Sequence, residues 1–134
     1  MNLINRKHPE ILEIKQRSDC FLSITDLRLW FSSTAATRFN LEPGKYLHFL
    51  NDGKSWSFFQ NDDPDGFFIQ KNGRATSQAV VVTCKPLIRM MLKSTGYKSG
   101  TRFYILKSNA THDGHPVMEI VTNKTFEEFM KAPL

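Results

Sequence analysis

Lys85, Arg89 and Lys93 are the residues in this chain whose type and spacing best suit a chemical task. They recur at every fourth position, so on a helix they share one side. Like charges stacked in that way repel one another. A phosphate backbone would relieve the repulsion and release its own counterions. The row lies within a stretch between Gly66 and His112 that holds no aspartate or glutamate, and that also carries Lys71, Arg74, Lys98, Arg102 and Lys107. Arg28, Arg38 and Arg102 are secondary candidates for phosphate contacts. The competing reading is a solvated helix face whose charges pair with acids elsewhere, foremost Asp62, Asp63 and Asp65.

Other sets point to weaker chemistry. Asn61-x-Asp63-x-Asp65-Gly66 matches the opening of a calcium loop, but the twelfth position is Asn72 where a bidentate glutamate is required. An acidic hairpin turn is the better reading. His112 and His115 stand three apart in a predicted turn with no third or fourth ligand signalled nearby, and His8 and His48 are isolated. No metal site is expected. Cys20 and Cys84 form no C-x-x-C pair and border apolar stretches, which fits two free thiols. Ser32, Ser33 and Thr34 offer hydroxyls without an evident base. The chain has no G-x-S-x-G, no P-loop, no dinucleotide fingerprint and no H-E-x-x-H. A non-enzyme without a cofactor is therefore expected. Trp30, Phe31, Trp56, Phe58 and Phe59 could form a stacking platform for single strands, but strand spacing explains them as core. Phe58 and Phe59 point to opposite faces of one strand, so something other than the main core must cover one of them.

These residues need elements to hold them. Residues 1–8 read as a loose lead-in, and Pro9 can open a short helix over 9–15. Strands are expected at 21–25, 46–50, 55–60, 67–71, 79–83, 102–107 and 117–122. Asp52-Gly53, Asn72-Gly73 and Asp113-Gly114 are turn signals between them. A helical turn or two is expected over 34–39 and a helix over 86–94, with Leu87, Ile88, Met91 and Leu92 as its apolar stripe. Thr125-x-x-Glu128 fits a capping box for a last helix carrying Phe126, Phe129 and Met130.

The order strand, helix, apolar-x-x-Gly, strand, Asp-Gly, strand occurs twice. It runs once over 21–60, with Leu41-x-x-Gly44, and once over 79–122, with Tyr97-x-x-Gly100. The repetition implies an α+β, β-rich fold of two β-α-β-β units packed about a pseudo-two-fold axis, with short terminal helices. Leu41-Glu42-Pro43-Gly44-Lys45-Tyr46-Leu47-His48-Phe49 resembles the L-x-x-G-D-x-V/L-x-hydrophobic core of AbrB-type swapped-hairpin proteins, which include MazE-like antitoxins and bacterial transition-state regulators. The resemblance covers 21–60 best and implies a small DNA-binding barrel, here with both units in one chain. Lys45 stands where the family has Asp. Asp26-Leu27-Arg28-Leu29-Trp30-Phe31 stands where the family has Gly-Arg and Ile-Pro, in the segment through which it tends to touch DNA.

Composition sets the bounds. A chain of 134 residues with 40% apolar residues, 11 of them Phe, can build one domain with its own core. Its formal net charge of +5 suits an acidic partner such as nucleic acid. No apolar leader interrupts Arg6, Lys7, Glu10 and Glu13, and no run is long enough to span a membrane, so the cytoplasm is expected. The leading expectation is a nucleic-acid-binding or transcription-regulatory module. The alternative is an adaptor or accessory subunit, a homodimer or a protein partner's mate, that uses an uncovered aromatic sheet face.

Overall fold

Alternating side chains set the strands, and pairing between distant segments closes them on each other. The computed structural model describes residues 20–53, 55–73 and 77–131. The lead-in over 1–8 and the helix expected over 9–15 lie outside the described residues. The elements run β1 (Phe21–Ile24), β2 (Leu29–Phe31), α1 (Ser33–Arg38), β3 (Tyr46–Asp52), β4 (Ser55–Asn61), β5 (Phe67–Phe68), β6 (Gln70–Lys71), β7 (Val80–Val82), α2 (Lys85–Thr95), β8 (Thr101–His112), β9 (His115–Ile120) and α3 (Phe126–Lys131). The fold is thus α+β and β-rich. No helix among the described residues is long and apolar enough to cross a membrane.

The strand order is β5-β3-β4-β9-β8-β1-β2-β7-β6, with every pair antiparallel. Its two ends, β5 and β6, are separated in the chain only by Ile69. The Ile69 N–H donates to Lys45 O at 2.9 Å, and its carbonyl accepts from Gly44 N–H at 2.9 Å. The sheet therefore curls into a nearly closed barrel, which leaves few free strand edges.

Inward-facing residues fill the barrel. Leu22, Ile24, Leu29, Phe31, Leu47, Phe58, Phe103 and Ile105 are fully buried in one cluster. Phe31 and Phe58 meet edge to face at 5.4 Å. The helices add small or apolar faces to the core: Ala35 and Ala36 from α1, Leu87, Ile88 and Met91 from α2, and Phe126 from α3, which lies against Phe21. Ser32, the one buried polar residue among the described ones, has its partners: its Oγ accepts from Ala35 N–H at 3.2 Å and Phe21 N–H at 3.1 Å.

Three elements depart from the sequence expectation. β2 falls in a segment too short to alternate visibly, and its partners β1 and β7 make it a strand. The expected strand over 67–71 is split at Ile69, where the pairing changes from β3 to β7. β8 runs on to His112 through a bulge in which residues 108–110 oppose Val117 alone. Ser108 stabilises that bulge, because its hydroxyl donates to Val117 O at 2.7 Å and accepts from Ala110 N–H at 3.1 Å.

Candidate functional site

α2 owes its shape to its ends and its stripe. Pro86 sits in the first turn, Gly96 closes the C-terminus in a left-handed conformation, and Gly96 N–H donates to Leu92 O at 2.9 Å. Leu87, Ile88 and Met91 face the core. That burial turns Lys85, Arg89 and Lys93 outward, and all three are exposed. No ion pair joins any of them to an acid among the described residues. The ion pairs found there are Lys45–Glu42, Arg102–Glu127 and His112–Asp113. The Asp63 carboxylate is engaged in its own turn, where Oδ1 accepts from Asp65 N–H at 2.9 Å, and Asp63 N–H donates to Asn61 Oδ1 at 3.0 Å.

The three secondary candidates take different places. Arg28 is exposed in the turn between β1 and β2, whose backbone is bound by Thr25 Oγ1. Leu29 pairs with Val82, so this turn and the start of α2 leave the same end of the β2–β7 pair. Arg38 ends α1, which leaves the opposite end. Its guanidinium lies beside Cys20. Burial pushes the Cys20 thiol up to about 11 against that nearby positive charge. Arg102 is committed to the fold. Its guanidinium lies 4.9 Å from the Phe21 ring centroid and 5.2 Å from that of Phe126, and it pairs with Glu127 at 2.5 Å. The structure thus brings Arg28 to the end of the barrel from which α2 starts, puts Arg38 at the other end, and employs Arg102 in seating α3.

Carboxylates on α3 feel these neighbours. Burial works against the charge of Glu127. It is outweighed by hydrogen bonds from the residue's own backbone N–H and from Arg102, by the Arg102 charge, and by a bond from Thr125, so the carboxyl lies below its ordinary value. Glu128 is lowered by the backbone and hydroxyl bonds of Thr125. The backbone bond, Thr125 N–H to Glu128 Oε1 at 3.0 Å, is one arm of a capping box whose other arm is Glu128 N–H to Thr125 Oγ1 at 3.2 Å.

The aromatic residues sort by face. Phe31, Trp56 and Phe58 are core, and Trp30 lies against Phe21 at 5.5 Å. Phe59 points outward yet is only 5% exposed, because imidazoles cover it. His48 stacks on it at 5.1 Å, His112 at 4.5 Å and His115 at 6.3 Å, with rings within 22° of parallel. Sequence reasoning left these histidines unconnected. The signal was register alone: His48 is directly opposite Phe59, and His112 opposite His115. His48 Nε2 also lies 2.8 Å from Asn61 Oδ1. Among the described residues no group of three or more His, Cys, Asp or Glu is placed to hold a metal ion. Among the described residues the exposed phenylalanine is Phe68, packed against Tyr46.

A groove adjoins the basic row at Lys93. The tip of the β3–β4 hairpin is tied to α2, because Trp56 Nε1–H donates to Ser94 Oγ at 3.1 Å and the Ser94 hydroxyl donates to Gly53 O at 2.6 Å. The comparisons with known proteins return no match among family models, curated proteins or solved structures.

Proposed function

We propose that this chain is a non-catalytic nucleic-acid-binding protein of regulatory type, contacting phosphates through the outer face of α2. The observation that carries the reading is the row Lys85, Arg89 and Lys93. It is exposed, presented by a helix seated on its opposite side, and without an acidic partner among the described residues. Uncompensated like charge at that spacing is stabilised by a polyanion and by little else in the fold. Arg28, at the end from which α2 starts, extends the row.

The finer architecture belongs to the same proposal: two units in one chain, as the swapped-hairpin resemblance implies, related by a pseudo-two-fold axis. Pairs of like contacts support it. Gly44 N–H donates to Ile69 O at 2.9 Å, and Gly100 N–H to Ile24 O at 2.7 Å. Lys45 N–H donates to Glu42 O at 3.1 Å, and Thr101 N–H to Lys98 O at 3.2 Å. Gly44 and Gly100 share a left-handed backbone, φ +95° and +92°. β2 pairs with β7 and β4 with β9, each antiparallel, as an axis through both pairs requires. On this plan the counterpart of β7, which feeds α2, is β2, which feeds α1, and not the strand over 21–25 that the repeat aligned with 79–83.

The test is binding of the purified protein to labelled duplex and single-stranded DNA and RNA across a salt series. Three phosphate contacts predict that log K falls against log salt with a slope of about −2 to −3. Reversing the row to glutamate (K85E, R89E, K93E) removes binding and leaves thermal melting unchanged. Binding untouched by the reversal would refute the assignment.

A further inference from the structure

The outer face of α2 is not purely basic. Met90 follows Arg89 on it and is 61% exposed. A thioether in that position neither seals the core nor serves a phosphate. Beside it, the clamp through Ser94 holds the β3–β4 hairpin against the helix and leaves a groove of about 420 Å³ lined by Asn51, Gly53, Trp56, Met90, Lys93 and Ser94.

Each wall has a defined chemistry. Met90 supplies a polarizable apolar surface. The Asn51 amide nitrogen is spent on Gly53 O at 2.9 Å and Ser55 O at 3.2 Å. Its side-chain oxygen, without a partner among the described residues, is the atom left to accept from a ligand. Lys93 places an ammonium at the rim, continuous with the basic row. The combination fits a flat apolar ring with amino hydrogens at its edge and an anion attached. A nucleobase within its strand has that chemistry.

Resting on the nucleic-acid reading above, we infer that this groove takes one unpaired base of a single strand. The base lies against Met90, its amino group donates to Asn51 Oδ1, and the adjoining phosphate meets Lys93. In a duplex the ring faces are stacked and the pairing edges used, so a duplex reaches the basic row but not the groove. The protein therefore binds single strands more tightly than duplex, and favours oligodeoxyadenylate, whose base carries an amino group, over oligothymidylate.

Fluorescence anisotropy with labelled oligodeoxyadenylate, oligothymidylate and a mixed-sequence duplex tests this in the full chain. The proteins compared are wild type, Met90→Ala and the double variant Lys85→Glu, Arg89→Glu. Met90 is exposed, so its truncation leaves melting unchanged. The expected result is an about tenfold loss of oligodeoxyadenylate affinity in Met90→Ala, with duplex affinity retained. Equal binding of strand and duplex, unaffected by Met90→Ala but lost in the double variant, would overturn the groove and leave the nucleic-acid reading standing. Failure of wild type to bind any of the three at low salt would overturn both.

Discussion

Single residues in this protein are set by what touches them across the barrel. Arg102 shows the scale of such a contact. It lies against two rings and one carboxylate, yet is part-exposed, so its ion pair is screened. Arg102→Ala should cost about 1–2 kcal/mol, mostly from the ring contacts, read as a lowered melting temperature. The Glu127 carboxyl is lowered on folding, so its contribution is present above the unfolded carboxylate value and fades as pH falls through the folded one. The gap between wild type and Arg102→Ala should therefore narrow by the ion pair's small share below about pH 4, while the ring contacts keep wild type the more stable. The two thiols should separate equally clearly. Cys20 is fully buried with its thiol pushed up to about 11, whereas Cys84 is half-buried. A thiol reagent near pH 8 should modify Cys84 in the native protein and reach Cys20 only on unfolding. Gly66 is fixed by contact. A Cβ there would stand 2.6 Å from His48 Nε2 and 2.9 Å from Leu47 O.

Among the elements, α2 is held by packing and α3 by its cap. α2 buries Leu87, Ile88 and Met91 against the core. Met91→Ala should cost about 2–5 kcal/mol in denaturant titration, with the outward cations unmoved. α3 is a six-residue helix that buries Phe126 alone and lays Phe129 over Tyr104 at 4.2 Å. So short a helix depends on its first turn. Thr125→Ala removes one arm of the capping box and should cost about 1 kcal/mol, concentrated in faster amide exchange over 126–131. An equal effect spread over β8 and β9 would mean that α3 and the barrel unfold as one unit.

At the scale of the whole molecule, the barrel is assembled from both halves of the sequence. β1 pairs with β8, β2 with β7, β4 with β9 and β3 with β5. Residues 20–66 lack four of these partners and should lack stable structure by circular dichroism when expressed alone. Mixing them with residues 67–131 should restore the native spectrum. Stable folding of the first fragment by itself would contradict this closure. The charge is arranged at the same scale, with the acid-free span of sequence delivering α2 and β8 while the acids lie in other segments.

The sequence determined local matters by itself. Spacing alone placed the stripe and the cation row of α2 on opposite sides, because a helix of fixed pitch decides which residues share a face. Gly96 and the Thr125–Glu128 pair marked helix ends, since capping acts within four residues. Asp52-Gly53 and Asp113-Gly114 marked their hairpins for the same reason. What needed the tertiary structure was everything carried by long-range register. β2 is a strand because β1 and β7 flank it. Arg102 is a structural cation because Phe21 and Phe126 arrive together beside it. Phe59 is covered because β3, β8 and β9 bring it three imidazoles from positions 48, 112 and 115. No local pattern encodes such meetings, because which strands become neighbours is decided by how the whole chain buries its apolar faces at once.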